Sequence, residues 1–384
     1  MGSNHRVPLF INRFSLSPRT AIGVQTLRLM DPHQDWLHFH WWSSSLKQPD
    51  PRSVLFENFV LSRYSFLHDP KLMRVCEWLR ISSWSGSDLR PGLAERLVTE
   101  YRERVSSAYV APLGEADARR CLKLADLIGV PYVLHLWDVL HGDVSRGALR
   151  ELVDRADSVF CVSQPLLDDV SLIRSDAELL SFSRDASLVT ASSRDRGPLK
   201  VVMHGNVGSY TEGLDDLDKA IALLERKGLK VEVSFLGSPR ILRRANTTIK
   251  DRVNVGGFLP TQQDLDCALS RAHVAFLPGP KKDPSGDLRS RYSIPSRILD
   301  YMAVELPIVG TVHKASATGD FVRNLGVDGA ATCSGPEEIA EWLVRLARPK
   351  GWVEQSTRSR NAFELLQRQE PPAQRLKRAL DKIA

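Results

Sequence analysis

The run Ser293-Ile294-Pro295-Ser296-Arg297-Ile298-Leu299-Asp300-Tyr301-Met302-Ala303 holds the side chains whose types and spacing best suit chemistry. Pro295 fits the opening turn of a helix, where its missing N–H is not needed. The unpaired N–H groups of such a turn and the helix dipole favour an anion, and Arg297 adds a fork of donors matched to phosphate. Asp300 falls one turn deeper, where a carboxylate accepts hydrogen bonds from two ribose hydroxyls. Ile298, Leu299 and Met302 then face the core. The same spacing describes a surface helix with an Arg297–Asp300 or Arg297–Tyr301 neighbour pair, so this segment alone leaves both readings open.

Other candidates carry less. His135 and Asp138 close an apolar run, as strand-end residues pointing into a cleft do, but a lone histidine there is as often a satisfied core group. Gly23 follows the turn Ser17-Pro18-Arg19-Thr20 and permits close approach of a ligand to the backbone. His38 and His40 alternate with Leu37, Phe39 and Trp41 without a third ligand, so no metal site is expected. The five cysteines lie at least forty positions apart and are odd in number, which fits reduced core thiols rather than a disulfide or zinc framework. No phosphate-binding Walker loop, nucleophile elbow or His-Glu-x-x-His motif is present.

The elements that must position these residues follow from periodicity. Val7 to Phe14 and Asp35 to Trp42 read as strands around a helix from Ile22 to Met30. Cys121, Leu124, Leu127 and Ile128 share one helix face, ended by Gly129. Tyr132 to Trp137 and Ser158 to Val162 are strands around a helix through Leu149, Leu152 and Val153. Lys200 to His204, Val231 to Leu236, Val274 to Leu277 and Pro307 to Val312 repeat the pattern, with helices between them. Ser334-Gly335-Pro336-Glu337 reads as a capping box. Residues 43–110 show no periodicity. Strands alternating with helices imply parallel sheets, and ligands gather at the carboxyl ends of such strands. The expected layout is two Rossmann-like, doubly wound α/β domains, 1–185 and 199–349, with a polar linker at 186–198 and a basic helical tail at 350–384.

The formal net charge is +6. Residues 345–384 alone carry ten basic and four acidic side chains, which suits an anionic ligand or surface and equally a solvated helix face. No apolar stretch is long enough to cross a membrane, and the first residues lack the apolar core of a secretion signal.

The segment 293–303, continued by Glu305-Leu306-Pro307-Ile308-Val309-Gly310, resembles the donor-binding segment of family-4-like retaining glycosyltransferases of the GT-B fold, whose pattern is P-S-K-hydrophobic-hydrophobic-E-Y-M-A-x-G-x-P-V-V. Ala272 to Pro278, Val202-Met203-His204-Gly205-Asn206, Ala156 to Ser163 and Leu127 to Asp138 resemble neighbouring parts of that fold. The resemblance implies two Rossmann-like domains facing across a cleft, the first binding an acceptor and the second a nucleotide-sugar. It implies donor contacts at Gly23, Gly205, Gly237, Ser238, Ile294, Pro295, Ser296, Arg297 and Asp300, and catalytic roles for His135 and Asp138 beside the sugar. It further implies transfer with retention and without a metal or other cofactor, from a UDP- or GDP-linked sugar to a glycan or lipid-linked acceptor. The setting implied is bacterial cell-envelope polysaccharide synthesis in the cytoplasm, at the inner face of an anionic membrane, with no specific nucleic acid as partner. Two departures stand out. Tyr292 and Asp300 occupy the positions of a pair of glutamates, and Asn206 and Glu212 those of an Arg–Lys diphosphate clamp. Arg240, Lys281, Lys282 and Arg297 are the candidates to supply the missing charge. A sugar-nucleotide epimerase of the same fold and a non-catalytic partner protein are the alternative readings.

Overall fold

The alternation of short apolar runs with amphipathic segments builds two parallel sheets in the computed structural model, which describes residues 6–14, 21–30, 36–42, 56–60, 99–137, 143–192, 197–244, 247–259, 261–279 and 281–384. The chain divides into one unit of Met1–Phe182 with Pro371–Ala384 and a second of Ser183–Glu370. Each holds its own sheet, which makes the fold class α/β with two doubly wound units. Most of the segment 43–110, the turn at 15–20 and Asp138 lie outside the described residues.

In the first unit, strands β1 (Val7–Phe14), β2 (Trp36–Trp42), β3 (Phe56–Val60), β4 (Val105–Ala111), β5 (Tyr132–Leu136), β6 (Ser158–Cys161) and β7 (Glu178–Leu179) are ordered β3-β2-β1-β4-β5-β6-β7. Every neighbouring pair is parallel. Strand β4 arises from the stretch that showed no periodicity. Its Val-Ser-Ser-Ala-Tyr-Val-Ala is buried almost throughout, and a strand covered on both faces has no alternation to display. A row of rings crosses this sheet. His38 stacks on Phe10 at 5.0 Å, and Phe10 on Tyr109 at 5.0 Å. His38 Nε2 also meets Asn12 Oδ1 at 3.0 Å, which gives this histidine a place in the core. The terminal helix Pro372–Ile383 lays Leu376 and Leu380 into the same cluster as Phe10, Tyr109, Trp137 and Phe160. Its Arg375 donates to the Leu179 carbonyl at 2.7 Å and pairs with Glu178.

In the second unit, β8 (Leu199–His204), β9 (Val231–Leu236), β10 (Val253–Val255), β11 (Val274–Leu277) and β12 (Ile308–Gly310) are ordered β10-β9-β8-β11-β12, all parallel. The chain steps outward from β8 in one direction through β9, then returns to β8's other side at β11. That reversal is the topological switch point at which open parallel sheets bind ligands. The core gathers Val201, Met203, Leu217, Ile221, Phe235, Phe276 and Leu343. The cap before the helix Pro336–Leu346 differs from the expected box. Gly335 takes the cap position, and Ser334 donates through N and Oγ to Glu338, each at 2.9 Å, rather than to Glu337.

The tail does not act as one piece. Helix Pro349–Gln367 stays on the second unit, where Trp352 Nε1 donates to the His273 carbonyl at 2.7 Å and Ser359 Oγ to the Leu306 carbonyl at 2.9 Å. Only the residues from Pro371 onward belong to the first unit. Pro371 and Pro372 break the helix between them because proline cannot continue the backbone ladder. The expected linker also belongs to the second unit: Ala191 N donates to the Val304 carbonyl at 2.7 Å and Ser192 N to the Ser270 carbonyl at 3.3 Å.

Helix Arg297–Ala303 starts two residues after Pro295 and ends in a Schellman turn. Leu306 N donates to the Tyr301 carbonyl at 3.0 Å and Glu305 N to the Met302 carbonyl at 2.9 Å. The turn needs a left-handed residue, and Glu305 adopts it with φ 59°, where the family pattern writes Gly. A side chain there costs about 1–2 kcal/mol, partly offset by the lower unfolded-state entropy of non-glycine residues. Glu305→Gly is therefore expected to stabilise this unit by about 1 kcal/mol, a rise of about 2–4 °C in its melting temperature by calorimetry. An unchanged or lower value would show that the turn is unstrained.

Candidate active site

The carboxyl end of β8 carries His204-Gly205-Asn206, and that of β11 carries Pro278-Gly279. Gly205 has φ 77° and nothing stands within 4 Å of where its Cβ would be, so the chain turns sharply there with bare backbone facing open space. At Gly279 a Cβ would lie 2.7 Å from Val312 Cγ2, so the loop after β11 approaches the end of β12 as closely as it does because no side chain intervenes.

Arg297 ties these two loops together. Its Nη1 donates to the Asn206 carbonyl at 3.0 Å and its Nη2 to the Pro278 carbonyl at 2.9 Å. The guanidinium lies 5.2 Å from the centre of the Tyr210 ring and is 8% exposed. Among the described residues no carboxylate pairs with it, and its Nε has no hydrogen-bond partner. A buried cation is ordinarily paired. This one rests on neutral carbonyls, a ring and two bare loops, at the switch point.

Asp300, one turn on, is not open in the way its spacing suggested. Its Oδ1 lies 2.8 Å from Arg184 Nε and 3.4 Å from Gln262 Nε2, and its Oδ2 lies 3.4 Å from His204 Nε2. Arg184 pairs also with Asp266. His204 N donates to the Tyr301 hydroxyl at 3.2 Å, and the two rings meet edge to face at 5.0 Å. Burial pushes the His204 imidazole down to about 4 against the opposing pull of Asp300, with Arg297 and Arg184 reinforcing the fall. His204 is thus neutral at pH 7.

The other residues expected to contact a donor lie on separate loops and helices. Ile294 is buried, the Pro295 carbonyl accepts from Ile298 N at 3.1 Å, and Ser296 precedes the helix without a side-chain cap. Gly237 ends β9, where a Cβ would stand 2.5 Å from the Phe235 ring, and the Ser238 carbonyl accepts from Ile241 N at 2.9 Å. Lys281 is taken up by Asp216 of the helix Thr211–Arg226, so its charge is already compensated. Arg240 and Lys282 are exposed, where salt screens them. Gly23 lies in the first turn of the helix Ala21–Leu29, in the first unit.

His135 departs from its expected catalytic role. It is fully buried, and both ring nitrogens are spent. Trp137 Nε1 donates to Nδ1 at 2.7 Å and the Tyr109 hydroxyl meets the same atom at 2.9 Å, while Nε2 faces the Leu180 carbonyl at 3.0 Å. An indole N–H can only donate, so Nδ1 is the bare nitrogen and Nε2 carries the proton. No nitrogen remains for a sugar, and burial holds the imidazole down to about 3. The histidine is a core bridge between three strands. Asp138, its expected companion, lies outside the described residues.

The residues missed from sequence are Arg184, His204, Tyr210, Gln262 and Asp266. His204 ends an apolar strand as His135 does, which was a usable signal. Arg184 and Asp266 sit in polar stretches and carried none. Among the described residues no helix is long and apolar enough to cross a membrane, and no group of three or more His, Cys, Asp or Glu side chains could hold a metal ion.

Comparison with known proteins agrees with this geometry. Residues 198–348, the second sheet and its helices, match the family model described as glycosyl transferases group 1. HepE of Anabaena, solved in complex with UDP-glucose, aligns with a TM-score of 0.66 at 14% identity over 98% of this chain and 99% of its own. The sucrose-phosphate synthase of Thermosynechococcus elongatus aligns at 0.63 and 12% identity, over 98% of this chain and 97% of its own. The lipopolysaccharide outer core galactosyltransferase WaaB aligns at 0.56 and 12% identity, over 98% and 99%. No curated protein sequence matches the chain. The two parallel units therefore form the GT-B fold. Residues 198–348 carry the signature of the glycosyl transferases group 1 family, within a chain of GT-B fold.

His135 and His204 set an acid limit on stability. The unfolded imidazoles take protons as pH falls through about 6.5. The folded ones wait until about 3 and about 4. Between those values the unfolded chain binds more protons, so stability is lost as pH falls and is insensitive to these groups above about 7. The expected loss at pH 5 is about 2 kcal/mol per histidine. Urea unfolding followed by tryptophan fluorescence at pH 7.5 and 5.0 should show it, and His135→Gln should shrink the difference. A variant with an undiminished pH difference would contradict the buried neutral imidazole.

Proposed function

We propose that the chain transfers a hexosyl group from a UDP-linked sugar, with GDP the alternative base, to a glycan or lipid-linked acceptor with retention of configuration. The observation that carries this reading is the buried Arg297 guanidinium at the β8–β11 switch point, held by two carbonyls and paired with no carboxylate among the described residues. Loss of the nucleoside diphosphate leaves negative charge on its terminal phosphate, and a fixed cation in a desolvated setting stabilises that charge without reorganising. A guanidinium has five N–H donors. Two are used by Asn206 and Pro278. The others serve a phosphate, and the bare backbone at Gly205 lets it approach. Asp300 shares its carboxylate between Arg184 and the ribose hydroxyls, since a carboxylate has about four acceptor positions. UDP-glucose bound to HepE makes uridine the first base to test. The chemistry fits the building of a surface polysaccharide or glycoconjugate, by a cytoplasmic protein resting on an anionic membrane face.

A non-catalytic nucleotide-binding partner is a second reading. It draws on the pairing of Lys281 with Asp216, which removes one cation from the set available to a diphosphate. Turnover of UDP-sugars separates the two readings.

The test is calorimetric titration of UDP and GDP into the wild type, Arg297→Ala, Arg297→Lys and Asp300→Asn. Loss of a charge-assisted bond costs about 1.5–3 kcal/mol, so Arg297→Ala should weaken binding roughly 10- to 150-fold. Arg297→Lys keeps the charge but not the fork, and should fall between. Asp300→Asn should weaken UDP while sparing pyrophosphate. The alanine variant should also lose about 1–3 kcal/mol of stability for each carbonyl it leaves buried. Unchanged UDP affinity in folded Arg297→Ala would remove this reading's main support.

A further inference from the structure

Arg184 lies two residues past Phe182, the end of the first unit's main segment, and just before the polar stretch expected to be a linker. Its side chain is 1% exposed. The guanidinium stands between two carboxylates, with Nε 2.8 Å from Asp300 Oδ1 and Nη2 paired with Asp266. Gln262 Nε2 spans the same pair, at 2.8 Å from Asp266 Oδ1 and 3.4 Å from Asp300 Oδ1. The backbone is pinned as well: Gln367 Nε2, from the helix Pro349–Gln367, donates to the Arg184 carbonyl at 2.7 Å. A long side chain loses much rotamer freedom when it is fixed this way. Here the backbone is held by Gln367 and the head by both carboxylates, by a hydrogen bond to Asp266 and by an ion pair without a hydrogen bond from Nε to Asp300.

We propose that Arg184 is a positioning residue through which the site recognises the vicinal hydroxyls of a ribose: its ion pair holds the Asp300 carboxylate in one orientation toward the ligand. The inference rests on the nucleotide-sugar reading above and deepens it. Without the guanidinium, Asp266 and Asp300 are two carboxylates bridged by the Gln262 amide with no cation between them, and like charges that close repel. Asp300 then turns away from Asp266, and a hydroxyl donor finds no fixed acceptor. The diphosphate, held at Arg297, is not touched by this change. Recognition of the ribose and of the phosphates is therefore separable, and Arg184 governs only the first. A merely structural Arg184 would lower the affinity of every ligand alike, through loss of folded protein.

The experiment compares three ligands by calorimetric titration into the full chain: UDP, 2′,3′-dideoxy-UDP and inorganic pyrophosphate. The wild type should prefer UDP over the dideoxy compound roughly tenfold or more, the worth of hydrogen bonds to a charged acceptor. Arg184→Gln combined with Asp266→Asn removes one cation and one carboxylate together, which avoids stranding a buried charge. In that variant the preference should collapse to about twofold or less, with pyrophosphate affinity within about twofold of wild type. If thermal melting shows that the double variant does not fold, Arg184→Lys carries the same test. It keeps the charge but loses the fork, and the preference should fall about threefold. A folded variant that retains the wild-type preference overturns the proposal. So does a wild type that binds UDP and dideoxy-UDP equally, which would leave the nucleotide-sugar reading standing. A wild type that binds no nucleoside diphosphate overturns both.

Discussion

One cation with no anion beside it among the described residues organises the second unit. The Arg297 guanidinium reaches from the start of its helix to the backbone carbonyls that follow β8 and β11, and so fixes the mouth of the switch point. Carbonyls at strand ends are acceptors without an assured partner, and leaving them buried and unmade is costly. Arg297 satisfies one on each side of the reversal. The bonds that hold the loops also hold a positive charge where open parallel sheets receive ligands. Structure and chemistry are not separable at this residue, so a substitution that disturbs one disturbs the other.

Arg184, which is buried, and Lys281, which is partly exposed, behave differently because they are compensated. Arg184 is shared by Asp266 and Asp300, and Lys281 is matched by Asp216. Removing one partner of a buried pair strands the other, at about 3–5 kcal/mol. The surroundings of Asp300 are for that reason less tolerant than its place on a helix face implies, where alanine would be harmless. They also explain the placement of the polar stretch after residue 182. A segment that looks like solvent-exposed connection is tied down by a buried ion pair and backbone bonds, although Leu188 within it is 94% exposed.

Much of the fold was legible because parallel α/β architecture writes itself as alternation. Strands such as Tyr132–Leu136 and Val231–Leu236 announced themselves as short apolar runs between amphipathic helices. β4 did not, since burial on both faces erases periodicity, and the two- and three-residue strands Glu178–Leu179 and Val253–Val255 are too short to carry any. The site was legible only in part. Arg297 and Asp300 stood out by type and spacing, but spacing along one helix says nothing about partners brought from far along the chain. Arg184 and Gln262 reach Asp300 from other segments altogether. His135 shows the opposite failure. A histidine at a strand end looks like a ligand, and only the positions of Trp137 and Tyr109 reveal that its lone pair is already used.

The positions of the Arg–Lys clamp in the resembled pattern are filled here by Asn206 and Glu212, so on the function proposed above the charge that meets a diphosphate comes from elsewhere. Four cations were candidates, and their surroundings sort them. Arg240 and Lys282 are exposed, and an exposed charge is screened within about 8–10 Å at physiological salt. Lys281 stands nearer but is neutralised by Asp216. Arg297 alone among the four is both desolvated and without a carboxylate among the described residues. Electrostatic work scales inversely with the local dielectric, so on the function proposed above one buried fork at this position stands in for two more exposed cations. The Asn at 206 is consistent with that exchange: its backbone carbonyl, not its side chain, receives the Arg297 Nη1.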